Sequence, residues 1–215
     1  LTGRAPLRHA AAGTGIAILA VLVLAADQFA KLLAIRNLPL EEPVHVIGDF
    51  LILYLIRNAG AAFSLGEDVT WIFTIALALV AIVIGWLAAT RVRSRLWMVV
   101  LGLLLGGVLG NLADRLFREP AFGAGHVVDF ISTPWMMPAI YNVADIFIVT
   151  MMISVALLVF FGVHLDGTRE RRGGAAQPVA VAPESAAPVE TAAVSDAVAP
   201  VETAAPADPA DPAKD

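Results

Sequence analysis

Four apolar runs, Gly15–Leu33, Trp71–Ala89, Leu96–Leu112 and Val143–Val163, alternate along the chain with segments that are polar or mixed. Each is roughly 17–21 residues, enough for a helix to cross the hydrocarbon core of a bilayer. The first run is too long for the apolar core of a signal peptide, and no small-residue cleavage site follows it. It continues instead into Asp27-Gln28-Phe29-Ala30-Lys31, which reads as a retained helix. Between the first two runs, Val44–Asn58 is rich in Val, Ile, Leu, Phe and Tyr and is broken at Gly48-Asp49. That is strand composition with a turn, and its apolar stretch Phe50–Ile56 is too short to span. The pattern predicts an α-helical membrane protein with four transmembrane helices, plus a small β-sheet in the first outer loop.

Arginines set the orientation. Arg4 and Arg8 precede the first run, Arg91, Arg93 and Arg95 join the second and third, and Arg169, Arg171 and Arg172 follow the fourth. The remaining loops, about 37–69 and 117–141, are mixed or acidic. Because basic residues stay on the cytoplasmic side, both termini are expected there and both long loops outside.

Composition sharpens this picture. Of 215 residues, 59% are hydrophobic and only 15% charged, which excludes an ordinary soluble domain. The chain has no cysteine, so disulfides, thiolate nucleophiles and cysteine-based zinc sites are excluded. The formal charge of −5 owes much to an acidic tail, and no basic patch with interleaved aromatics suggests nucleic-acid binding. That tail, from about Gly173, is built from Ala, Pro, Val, Glu and Thr and repeats Ala-Pro-Val-Glu-Thr-Ala-Ala at 187–193 and 199–205. Such sequence cannot bury enough apolar surface to offset its ordering entropy. The expected organisation is a cytoplasmic segment 1–14, a four-helix membrane domain 15–165 and a disordered cytoplasmic extension 166–215.

The chemistry lies in a few polar residues. Asp145 stands at the start of the fourth run and Asp129 in the loop before it; a carboxylate at a membrane boundary is costly to keep charged. Two carboxylates that meet in a poorly hydrated site cannot both ionise cheaply, which suggests a shared-proton dyad that activates water. Asp27 and Lys31 lie four apart on one helix face, as a structural ion pair, with Lys31 snorkelling up to the interface, or as substrate contacts. Asn111, Asp114 and Arg115 close the third run, with Asn111 suited to a supporting hydrogen-bond network. Asn142 and Asp145 have capping-box spacing, which offers a purely structural reading of that phrase. His126 reads as a loop histidine without a metal motif, and Ser64 lacks a Gly-x-Ser-x-Gly setting. The arginine-derived topology puts all these polar groups at the outer face, which argues for one site. Gly102, Gly106 and Gly110 form a smooth helix face, usually a sign of close helix packing. Two rival readings are a small transporter, with polar groups strung along a path through the bilayer, and a non-catalytic scaffold assembling through the glycine face.

Five phrases, Asp27-Gln28-Phe29-Ala30-Lys31, Asn58-Ala59-Gly60-Ala61-Ala62-Phe63, Gly110-Asn111-Leu112-Ala113-Asp114-Arg115, Val127-Val128-Asp129-Phe130 and Tyr141-Asn142-Val143-Ala144-Asp145, occur in order between the four runs. Together, over about residues 15–165, the chain resembles the lipoprotein signal peptidases, or signal peptidase II, a family of membrane aspartic peptidases. The resemblance implies that Asp129 and Asp145 are the catalytic pair. It implies that Asn58, Asn111, Arg115 and Asn142 line the site, that Asp27 and Lys31 belong to the same polar region, and that Asp114 is supportive. It further implies cleavage of diacylglyceryl-modified bacterial prolipoproteins just before the lipidated cysteine, in the cytoplasmic membrane of a bacterium with the site towards its outer face. Membrane lipids and globomycin-like cyclic peptides would be partners, and no metal or organic cofactor is expected. The segment Phe117–Gly125 looks longer than the family's connection and lies where a lid could be; Ser64 and Tyr141 replace the commoner glycine and phenylalanine.

Overall fold

The computed structural model of the chain describes residues 7–60 and 70–169. Arg4, Arg171, Arg172, Ser64 with the rest of its phrase after Gly60, and the tail from Gly173 lie outside the described residues.

Four helices occupy the four apolar runs: α1 (His9–Asn37), α2 (Thr70–Thr90), α3 (Arg95–Phe117) and α4 (Val143–Phe160). All four are long and apolar enough to cross a membrane. Two extend beyond their apolar runs. α1 begins at His9, inside the segment expected to precede the membrane domain, and α3 continues past Leu112 to Phe117. That extension adds Asp114 and Arg115 to the helix, at three- and four-residue spacings from Asn111 that share its face.

α3 is the central helix. Of its most apolar window 61% is buried, against 6% for α4, because α1, α2 and α4 all pack against it. Glycines permit the close approach. A Cβ at Gly102 or Gly106 would collide with Leu19 or Val23 of α1, and one at Gly107 would meet the Ala144 carbonyl and Ile148 of α4. The core away from the polar end combines Ile16, Ile84, Trp97, Leu101, Leu104 and Val108. Outward faces carry exposed Ile18, Leu22, Ile82, Val83, Met152 and Ile153, as lipid contact requires. Exposed Trp71, Phe117, Phe122 and Trp135 lie at one end of the bundle and Trp86, Phe160 and Phe161 at the other, the aromatic belts of a membrane protein.

The sheet draws on both connecting loops rather than the first alone. It is antiparallel, in the order β1 (Pro43–Ile47), β2 (Leu51–Asn58), β3 (Val127–Ser132), β4 (Ile140–Tyr141). The expected turn at Gly48 joins β1 to β2, with Gly48 in the left-handed region at φ 48°. From sequence Val127–Ser132 reads as loop, since a six-residue segment interrupted by a carboxylate carries little periodicity by itself. It becomes a strand because β2 offers an edge: Ile56 pairs with Asp129 and Asn58 with Val127. Leu55, Val128 and Phe130 seat the sheet on Ala34 near the end of α1.

The Phe117–Gly125 segment folds back onto the end of α3. The Gly125 N–H donates to the Arg115 carbonyl (2.9 Å), the His126 N–H to the Glu119 carbonyl (2.9 Å), and the Thr74 hydroxyl of α2 to the Gly123 carbonyl (2.7 Å).

Candidate active site

The site grows from the first turn of α4. Asn142 is its N-cap, and the capping box is complete: the Asp145 N–H donates to Asn142 Oδ1 (3.0 Å), and the Asn142 N–H donates to Asp145 Oδ2 (3.0 Å). The structural reading of this phrase is therefore correct, and it does not compete with a chemical one. Capping leaves the Asn142 NH2 group free to donate to Asp129 Oδ1 (2.6 Å) and to Asn111 Oδ1 (3.1 Å). One residue thus binds both carboxylates, Asp129 through its side chain and Asp145 through its backbone.

The other donors are amides as well. Asn58 Nδ2 reaches Asp129 Oδ2 (2.8 Å), from a position diagonal to it across β2 and β3. The turn after β2 sets the Asn58 amide, whose oxygen accepts the Gly60 N–H (2.8 Å). Gly60 has φ 115°, and a Cβ there would run into Phe73 and Arg115, so the turn requires glycine. Asn111 Nδ2 donates to Asp145 Oδ1 (2.7 Å). Among the described residues no lysine or arginine forms an ion pair with Asp129 or Asp145. Burial pushes the Asp129 carboxyl up to about 6, and the charge of Asp145 acts in the same direction; the donors Asn58 and Asn142 hold it back. Asp129 is buried and Asp145 half-buried.

Arg115 lies beside this pair. Its guanidinium sits 5.5 Å from the Phe73 ring centre and donates from Nη1 to the Ala59 carbonyl (3.3 Å) and the Gly125 carbonyl (3.5 Å). Among the described residues its buried Nε has no hydrogen-bond partner.

Behind the pair is an ionic layer. Lys31 Nζ contacts Asp27 Oδ2 (2.8 Å), Asp114 Oδ2 (2.8 Å) and Asn111 Oδ1 (3.0 Å), and all three charged side chains are fully buried. Asp27 spends its other oxygen on the Ala144 N–H in the first turn of α4 (2.9 Å). Asp114 also accepts from Arg118 (2.6 Å), Gln28 (3.1 Å) and the Val128 N–H (3.2 Å). Asp27 and Lys31 thus form an ion pair buried inside the protein. Two members, Gln28 and Arg118, are not among the residues singled out from sequence. Arg118 was findable, being four residues beyond Asp114 on one helix; Gln28 was visible only as a neighbour of Asp27.

All nine expected site residues converge at one end of the bundle. That concentration is not the membrane-crossing path a transporter needs. The glycine face is equally decisive against a scaffold assembled through it, because the chain's own α1 and α4 already cover it.

Comparison with known proteins agrees. The family described as signal peptidase (SPase) II matches residues 19–161. A lipoprotein signal peptidase of Leifsonia xyli subsp. xyli is 47% identical over 161 residues, 74% of this chain and 73% of the relative. That of Mycobacterium tuberculosis (strain CDC 1551 / Oshkosh) is 41% identical over 152 residues, 71% of this chain and 74% of its own. A bacterial membrane enzyme solved by the in meso method at 2.3 Å superposes with TM-score 0.60 and 28% identity, covering 69% of this chain and 88% of that one. With the family matched along most of its length, and its four spans and clustered aspartates in place, this chain belongs to the signal peptidase II family of membrane aspartic proteases.

Proposed function

We propose that this protein removes signal peptides from diacylglyceryl-modified bacterial prolipoproteins, cutting just before the lipidated cysteine with Asp129 and Asp145 as the catalytic pair. The observation that carries the reading is the bridging of both carboxylates by Asn142 in a setting without a paired cation. One proton shared between them leaves one acid and one base. The base takes a proton from water as its oxygen attacks the scissile carbonyl, and the acid donates to the carbonyl oxygen. Collapse of the resulting diol breaks the C–N bond, with a proton passing to the leaving amine. The dyad titrates as a unit. The free Arg115 Nε–H supports a role in holding a substrate carbonyl, and Asn58, Asn111 and Asn142 orient the two aspartates.

Orientation supports the same reading. Arg8, Arg91, Arg93, Arg95 and Arg169 gather at the end of the bundle opposite the aspartates. By the positive-inside rule both termini are cytoplasmic, and the site faces outwards at the surface of the bacterial cytoplasmic membrane. Lipid chains on the cysteine anchor one side of the scissile bond and the apolar signal helix the other, which holds the bond at fixed depth. Globomycin-like cyclic peptides would compete for this cleft. Residues 15–165 form the peptidase domain in this account.

The test uses a diacylglyceryl-modified prolipopeptide in detergent or bilayer, with product followed by gel shift. Asp129→Asn and Asp145→Asn are each expected to lose on the order of 10²–10⁴ in kcat while still binding substrate. Cleavage that survives either change removes that residue from the chemistry.

A further inference from the structure

Lys31 has three N–H donors and uses all of them: two on the carboxylates of Asp27 and Asp114, and the third on the amide oxygen of Asn111. The third bond has a consequence for the dyad. A carboxamide is nearly symmetric in shape, and its two ends differ only in what they accept or donate. With the oxygen towards Lys31, the NH2 group of Asn111 points at Asp145 Oδ1 (2.7 Å). In the flipped arrangement that NH2 group would face an ammonium, and its oxygen would face a carboxylate. A lysine has no acceptor to offer, so it tolerates only one of the two arrangements.

The neighbouring amide cannot relax to compensate. Asn142 is held by the Asp145 N–H on its oxygen, so its own NH2 group must point at Asn111 Oδ1 and Asp129 Oδ1. Donor direction is therefore imposed from two sides, by a helix N-terminus at Asn142 and by a buried cation at Asn111. The same cluster fixes distance as well as direction. Asp27, bonded to Lys31, also caps the Ala144 N–H one residue before Asp145.

We propose that Lys31 is a positioning residue for peptide cleavage, acting on Asp145 through the amide of Asn111. The proposal rests on the peptidase reading above. Lys31 is itself fully buried, so it would act on the dyad only through its neighbours.

A kinetic double-mutant cycle between Lys31→Met and Asn111→Leu tests it. Lys31→Met is expected to lower kcat by roughly 10- to 100-fold, the scale on which losing an orienting partner acts elsewhere. KM should stay within about twofold, since substrate contacts are intact. In the Asn111→Leu background, the same lysine change should cost less than about twofold, because the amide it orients is gone. Lys31→Met leaves Asp27 and Asp114 without their shared cation, so the cycle is repeated with Asp27→Asn, whose oxygen can still accept the Ala144 N–H. Loss of kcat that persists in this charge-balanced protein supports positioning. A return to wild-type kcat there, or losses that simply multiply in the cycle, would overturn the proposal and leave Lys31 a structural counter-ion. Wild-type cleavage that vanishes in Asp145→Asn is the separate check on the peptidase reading; an inert wild type would remove both.

Discussion

Two pairs of aspartates meet beside the first turn of α4, and they are compensated by opposite means. Asp27 and Asp114 share an ammonium at 2.8 Å each, with Arg118 adding a second cation to Asp114. Among the described residues, Asp129 and Asp145 receive only neutral N–H donors, from Asn58, Asn111 and Asn142. A carboxylate paired with a cation in a dry interior is committed to that pair, because breaking it strands a buried charge. A carboxylate held by amides keeps its geometry and can still take or give up a proton. The contrast separates a layer that anchors α1, α3, α4 and β3 from a layer that can do acid–base work. Asparagine is the residue that makes the second possible: it donates without bringing a charge.

Changes to the two layers should therefore fall on different measurements. Asp114→Ala is expected to have the largest effect on folding, since it removes one of the two carboxylates on Lys31, the carboxylate paired with Arg118 and the acceptor of the Val128 N–H together. Unfolding followed in detergent should show a loss of roughly 3–5 kcal/mol. Asp145→Asn should cost less, about 1–2 kcal/mol by the same assay, while abolishing cleavage, because the amide oxygen keeps one of the two hydrogen bonds that the carboxylate accepts. A small loss for Asp114→Ala, or a large one for Asp145→Asn, would erase the distinction between the layers.

Gly110→Ala attacks the boundary between them. A Cβ there would lie 2.6 Å from Asp27 Oδ2 and 3.2 Å from the Ala144 side chain. Pushing α1 and α4 apart at this point should cost about 1–3 kcal/mol and lower kcat as well, since both layers meet on that glycine. Unchanged kcat in the folded variant would show that the layers are mechanically independent.

Asn58→Ala sharpens the acid–base half of the comparison. The Asn58 N–H bonds the charged form of Asp129, so removing it raises the carboxyl further above about 6. The dyad then keeps its shared proton to higher pH. The alkaline limb of kcat/KM should move upwards by roughly half to one unit, worth about 1 kcal/mol. A limb that stays in place or moves down would detach Asp129 from the titration.

The smallest effect is expected at Arg57 and Glu119, an exposed ion pair 3.6 Å apart outside both layers. Glu119→Gln should change stability by less than about 0.5 kcal/mol and leave cleavage unaltered, because solvent already screens the pair. A larger effect would mean that the Phe117–Gly125 segment bears on the site.

Much of this architecture is legible without coordinates. Helix length against bilayer thickness identifies the four spans, and loop arginines predict an orientation, because both depend on local composition alone. The capping-box spacing of Asn142 and Asp145 likewise predicts where α4 begins and which hydrogen bonds start it. Five ordered phrases identify the family and nominate nine polar residues, which the fold brings to one end of the bundle. What sequence could not supply is the assignment of partners across the fold. Asp129 lies on a strand because β2 accepts it in register, a pairing between segments 71 residues apart for Asn58 and Asp129. Lys31 could have snorkelled, met substrate or paired only with Asp27; packing of α3 on α1 gave it Asp114 and Asn111 instead. Local periodicity says which face of a helix a side chain occupies, whereas the direction of a donor depends on what the rest of the chain brings opposite it. That is why the residues of both layers could be named from sequence, while the difference between an ion-paired aspartate and an amide-held one emerged only from the tertiary structure.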